Sequence, residues 1–142
     1  MSNTVINLDR LAAQHAQAVV TKAKANIETT VTKALGVLQE DGVYACFLYL
    51  LAKEKGNEEV VVAEMLNLLD GLQFNWGKPS SSKPDDILSY INENVTVNLE
   101  RLLLVKETLE QMLIYARYGA KAHQEPEKHQ EPEKKDEQEE TA

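Results

Sequence analysis

Residues 34–56, ALGVLQEDGVYACFLYLLAKEKG, join the end of an amphipathic helix to an almost wholly apolar one through the hinge Glu40-Asp41-Gly42. A helix that is apolar on every side must be wrapped by other elements, so this segment predicts the centre of a small helical bundle. Gly42 suits the left-handed residue that closes a helix, and Asp41 favours a turn. Beyond the hinge, Tyr44, Phe47, Leu48 and Leu51 share one face, while Val43, Cys46 and Leu50 lie on another. The first set is expected in the core. Lys53 and Lys55, in the last turn where cations suit the helix dipole, are expected to be open to a partner, and Gly56 closes the helix.

The flanking sequence repeats helical spacing. From an N-cap at Asn7, Ala12, Ala16, Val20, Ala23, Ile27, Val31, Ala34 and Leu38 step by three or four residues. The stripe is rich in alanine, so a neighbouring helix can approach closely. It fits one long helix or two, and Thr29, Thr30 and Thr32 favour a break near residues 26–30. If the helix were continuous, Lys22, Asn26, Thr29 and Lys33 would line one polar face. Asn57 is placed as the cap of a further helix whose buried stripe is Val62, Met65, Leu66 and Leu69. After the loop LQFNWGKPSSSK (72–83), Ser82 and Asp85 resemble a capping box, with Pro84 in the first turn of a short helix burying Ile87, Leu88 and Ile91. The last helix, about 97–120, carries Leu99, Leu102, Val105, Leu109, Met112 and Ala116 on one face. Leu103, Leu104, Leu113 and Ile114 widen it enough to imply more than one partner.

The expected fold is therefore all-α, a compact bundle of about five to six helices over residues 1–122. The tail from 123 to 142 has a different composition. HQEPEK stands twice in tandem without a large apolar residue and is followed by KDEQEETA. Such a segment does not repay the entropy of ordering, so it is read as a disordered acidic tail. It holds three Lys against seven Glu and one Asp, and so accounts for most of the chain's net charge of -8. The bundle itself is close to balanced, which leaves a polyanionic partner compatible with the composition.

Catalytic chemistry finds no support in the residue pattern, and the chain is read as a non-enzyme. Cys46 is the single cysteine; it sits in an apolar run and is read as a small buried hydrophobe. His15 lies among Ala and Gln, and His123 and His129 belong to the repeat, so neither metal nor cofactor is expected. Glu58-Glu59 and Asp85-Asp86 fall at helix starts, where negative charge is favoured electrostatically. No secretory leader is visible at the N-terminus, and the longest apolar run is about half a membrane span, which suggests a cytoplasmic protein with no membrane partner. Scattered cations usually mark a solvated face; gathered together, they would track a phosphate backbone without reading sequence. Trp76, beside Phe74, fits either a stacking or anchoring role or a cap on the core.

Three stretches together resemble the small subunit of type III-B (Cmr-type) CRISPR effector complexes: the Ala-rich LDRLAAQHAQAVV, then ALGVLQEDG with VYACFLYLLAKEKG, and the terminal NLERLLLVKETLEQMLIYARYGAKA. The likeness spans most of residues 8–121. It implies an all-helical, non-catalytic brick that stacks with copies of itself in a filament. It also implies CRISPR backbone and large effector subunits as partners, and a place in the channel where guide and target RNA pair. Positive side chains facing the nucleic acid would then be Lys22, Lys24, Lys53, Lys55, Arg101 and Arg117. The overall acidity departs from that pattern, and the acidic tail and the Trp76 loop look like additions. The reading from residue chemistry alone is a stand-alone helical adaptor that dimerises through the broad apolar face of the last helix.

Overall fold

The computed structural model describes residues 6–53 and 56–128, with backbone alone for 124–128. Six α-helices form: α1 (Leu8–Lys22), α2 (Ile27–Asp41), α3 (Val43–Lys53), α4 (Asn57–Gly71), α5 (Pro84–Tyr90) and α6 (Leu99–Lys128), with a π-helical turn at Ile91–Val95 after α5. No strand occurs among the described residues. The fold is the all-α bundle expected. Helix α6 is its long axis; α1 and α2 lie against α6, α4 packs on α1, and α3 sits between α2 and α4 with α5 leaning on it. The most extensive contact is α1 against α6, and both helices bury small residues: Ala12 and Ala16 on α1, Ala116 and Ala120 on α6. A methyl group added to Gly119 would come within 3.2 Å of Val20.

Local chemistry sets the helix ends. Asn7 caps α1 by accepting from the Arg10 N–H at 3.0 Å, and Asn98 does the same for α6 through Arg101. Gly42 closes α2 with φ +101° and donates its N–H to the Leu38 carbonyl; side chains rarely tolerate that backbone region. The α1–α2 break falls at residues 23–26 rather than across 26–30, and the three threonines lie inside α2. The reason is tertiary. Asn57 is buried and is not the cap of α4 but its first residue. Its side chain reaches back to accept from the Lys24 N–H and to donate to the Ala25 and Lys24 carbonyls. A chain turning without helical bonds has found its partners on another helix. With the helix broken here, the continuous Lys22–Asn26–Thr29–Lys33 face does not exist. Asn57→Ala should lower stability by about 1–3 kcal/mol, the cost of orphaning buried backbone groups; a thermal melt unchanged from that of the parent chain would contradict this.

The α5 start also differs from the expected box. Pro84 is in the first turn as predicted, but Ser81 donates to Asp86 and accepts from the Lys83 N–H, one residue removed from the Ser82–Asp85 pairing. The π turn follows because the Asn94 side chain donates to the Tyr90 carbonyl, and the Thr96 N–H then reaches the Ile91 carbonyl, five residues back. Among the core residues, Phe47, Leu38, Leu50, Met65, Leu68, Leu69, Ile91, Leu109, Met112 and Leu113 are sealed from solvent. The buried face of α3 differs from the expected one. Phe47 is core, but Tyr44 and Leu51 are half-buried and Leu48 is 47% exposed, whereas Val43, Cys46 and Leu50 are the buried set. On α4 the buried set is Val61, Val62, Met65, Leu68 and Leu69, with Leu66 half-buried. Leu88 likewise yields its core place to Tyr90. Leu99, expected in the α6 stripe, is 67% exposed because α6 begins beyond the edge of the core. At its far end packing stops at Ala120, and the helix continues into the first hexapeptide, to Lys128. The rest of the acidic tail lies outside the described residues.

Candidate nucleic-acid interface

The cations singled out in the sequence fall into three situations. Lys24 is in the linker that Asn57 clamps onto the start of α4. Since α3 ends at Lys53 just before that start, Lys24 and Lys53 share one end of the bundle. Helix α6 arrives there too: Lys121 lies 3.7 Å from Glu28 in the first turn of α2, and Arg117 is exposed one turn earlier. A groove of about 490 Å³ opens at this end, lined by Val20, Ala23, Lys24, Ile27, Ala120 and His123 among others. Lys53 is exposed, with its ammonium 5.4 Å from the Tyr49 ring centroid. Lys55 lies outside the described residues.

Arg101 is elsewhere. It stands in the first turn of α6, its guanidinium 4.6 Å from the ring centroid of Phe74, which follows the C-terminal end of α4. Helix α4, about 22 Å long at 1.5 Å per residue, separates it from the Lys24–Lys53 end. Phe74 in turn packs at 4.8 Å on Trp76 with the planes tilted 40°. Both aromatics are half-buried against the core. Of the two roles weighed for Trp76, capping the core is the one its contacts describe. Gln73 and Asn75, on either side of Phe74, have positive φ, as does Gly77, and Tyr90 holds the loop by donating to the Gly77 carbonyl at 2.9 Å.

Lys22 bridges from the surface to a buried carboxylate, its side chain 59% exposed. Its ammonium donates to Oε2 of Glu64 at 2.7 Å, and Nδ1 of His15 lies 2.9 Å from Oε1. Glu64 is 2% exposed, on the α4 face that packs against α1. A carboxylate accepts from both groups, so the three residues pin α1 to α4 with a charge removed from water. Burial by itself would push the Glu64 carboxyl upward; the bonds from Lys22, His15 and Asn67 outweigh it and hold the group below its usual range. Lys22 therefore pairs with a buried carboxylate while its own side chain stays exposed in the last turn of α1. Glu64 was missed in the sequence, although an acidic residue among Val61, Met65 and Leu68 at helical spacing is the signal of one.

The cysteine behaves as its surroundings dictate. Cys46 is buried, its thiol donates weakly to the Ala34 carbonyl at 3.5 Å, and burial pushes its pKa up to about 12. Among the described residues no group of three or more His, Cys, Asp or Glu is placed to hold a metal ion. No helix among them is long and apolar enough to cross a membrane. Comparison with protein-family models, with curated proteins and with solved structures returned no match to this chain.

Proposed function

We propose that this chain is a non-catalytic structural subunit of a type III-B CRISPR ribonucleoprotein. In this reading it stacks with copies of itself along the backbone subunits, meets the large effector subunit and helps to form the guide–target RNA channel in the cytoplasm. The sequence likeness of residues 34–56 and of the first and last helices supports this, as does the six-helix fold. The observation that carries it furthest is the convergence of Lys24, Lys53 and Arg117, from distant parts of the sequence, at one end of the bundle. Arg101 lies at the other end of the bundle beside Phe74, and Lys22, exposed two residues before Lys24, is shared with Glu64.

The reading predicts that affinity-purified protein brings down short guide RNAs and a repeated backbone subunit; recovery of neither would refute it. Reversing Lys24 and Lys53 to glutamate should weaken target-RNA retention by the complex while assembly persists, and the retained part should be salt-sensitive. Equal retention by the double variant would return both lysines to the solvated surface.

A second reading is favoured by one surface. Val97, Leu99 and Leu103 at the start of α6 are each more than half exposed, an apolar patch suited to a homodimeric adaptor. Light scattering at rising concentration discriminates: a strict monomer would exclude the adaptor dimer.

A further inference from the structure

Between α3, α4 and the start of α5 the surface sinks into a groove of about 400 Å³. Its floor is aliphatic, with Leu50, Leu51, Val62 and Leu66 beneath and Pro84 and Ile87 at the far wall. Its rim is acidic, because Glu58 and Glu59 in the first turn of α4 line the mouth. The apolar surface does not stop there. Tyr44, Leu48 and Leu51 are spaced four and three residues apart on α3, which places them on one helix face. Leu48 is 47% exposed, and the strip runs back from the groove toward the exposed pair Glu40-Asp41 at the α2–α3 corner. Lys53 does not neutralise the strip, being held over Tyr49 on another side of α3. No basic side chain is among the residues lining the groove; exposed Lys83 precedes Pro84 in the sequence.

We propose that this groove docks a partner protein through an aliphatic side chain carried on a basic segment. The chemistry excludes a phosphate backbone, which the two glutamates would repel, and calls for cations flanking an apolar anchor. That is helix-in-groove recognition: the floor removes the anchor from water, and the rim selects by charge. The groove opens beside the Lys24–Lys53 end, since Glu58 and Glu59 follow Asn57 in the first turn of α4, but neither lysine lines it.

The probe is a synthetic amphipathic helix with Leu on one face and Lys on the other, compared with a twin carrying Glu in place of Lys. Binding to the full chain is followed by fluorescence anisotropy and by methyl NMR shifts. The Lys peptide should bind at least about tenfold more tightly than the Glu twin, a difference of about 1.4 kcal/mol. The shifts should centre on Leu51, Val62 and Leu66. Glu58→Lys with Glu59→Lys should abolish the preference. Ala63→Gln fills the groove from an exposed position without altering charge, and should weaken the Lys peptide about tenfold while the thermal melt and RNA retention stay unchanged. Three results overturn the proposal: equal binding of both peptides, shifts centred on Leu99 and Leu103 instead, or self-association of the chain that Ala63→Gln removes. The last would make a second copy the occupant. Loss of RNA retention in Lys24 and Lys53 variants with peptide binding intact would separate this site from the ribonucleoprotein reading.

Discussion

Phe47→Ala should cost about 3–5 kcal/mol and lower the Tm by more than about 10 °C, whereas Leu48→Ala, one residue along, should cost less than about 1 kcal/mol. The two side chains are neighbours in sequence and were expected together in the core. Phe47 is fully enclosed and Leu48 is 47% exposed, so the cavity penalty applies to the first alone. Helix α3 is covered by α2, α4 and α5 and only lightly by α6, which leaves one apolar face open. Denaturant melts of both variants check this directly. Equal losses would mean that Leu48 is covered in solution, by a second copy or another partner.

Removing both side chains that hold Glu64 from α1 is the other large effect. In the pair His15→Leu with Lys22→Met, a carboxylate that is almost wholly buried keeps the polar contact of Asn67 and loses the Lys22 ammonium and the His15 imidazole. Stranding a buried charge costs about 3–5 kcal/mol when it is enclosed on all sides; the partial exposure of Lys22 places the expected loss near the lower end, about 3 kcal/mol. Adding Glu64→Leu should recover most of it, because an apolar side chain of similar volume needs no partner. The parent chain also carries a pH signature. The folded carboxyl is held below its unfolded value, so its stabilisation is complete above the unfolded pKa and is lost as the pH falls through the folded one. The Tm of the parent should therefore fall more steeply on acidification below about pH 4.5 than that of Glu64→Gln, the window following from the ordinary glutamate value. Parallel pH profiles would rule out the linkage.

The parts of the fold legible in the sequence are those governed by local rules. Asn7, Gly42 and Pro84 mark helix ends through backbone chemistry that needs no distant partner, and each stands where the sequence places it. The stripe from Ala12 to Leu38 likewise identifies a buried face, except that Val19 takes the core place expected of Val20 and Ala23 is half-buried in the linker. What failed was decided by contacts between elements. Asn57 has the composition of a cap, but its side chain serves a linker thirty-two residues earlier. An all-apolar helix predicts complete wrapping; Leu48 shows that hydrophobicity states what could be buried, not what covers it. The candidate site was least legible of all. Lys22 and Lys24 are two residues apart, yet one turns to a buried glutamate and the other stands in a linker. Arg101 looks like any exposed cation until Phe74 is seen beneath it.

The pairing of α1 with α6 also governs when the fold can be completed. The first and the last helix of the bundle make their largest contact with each other, so the alanine face of α1 stays uncovered until α6 is in place. Long-range closure of this kind slows folding relative to bundles whose neighbours are adjacent in sequence. Helices α2 to α4 are contiguous and pack on one another, so they are the unit able to condense first, with the two ends of the chain docking in a final step.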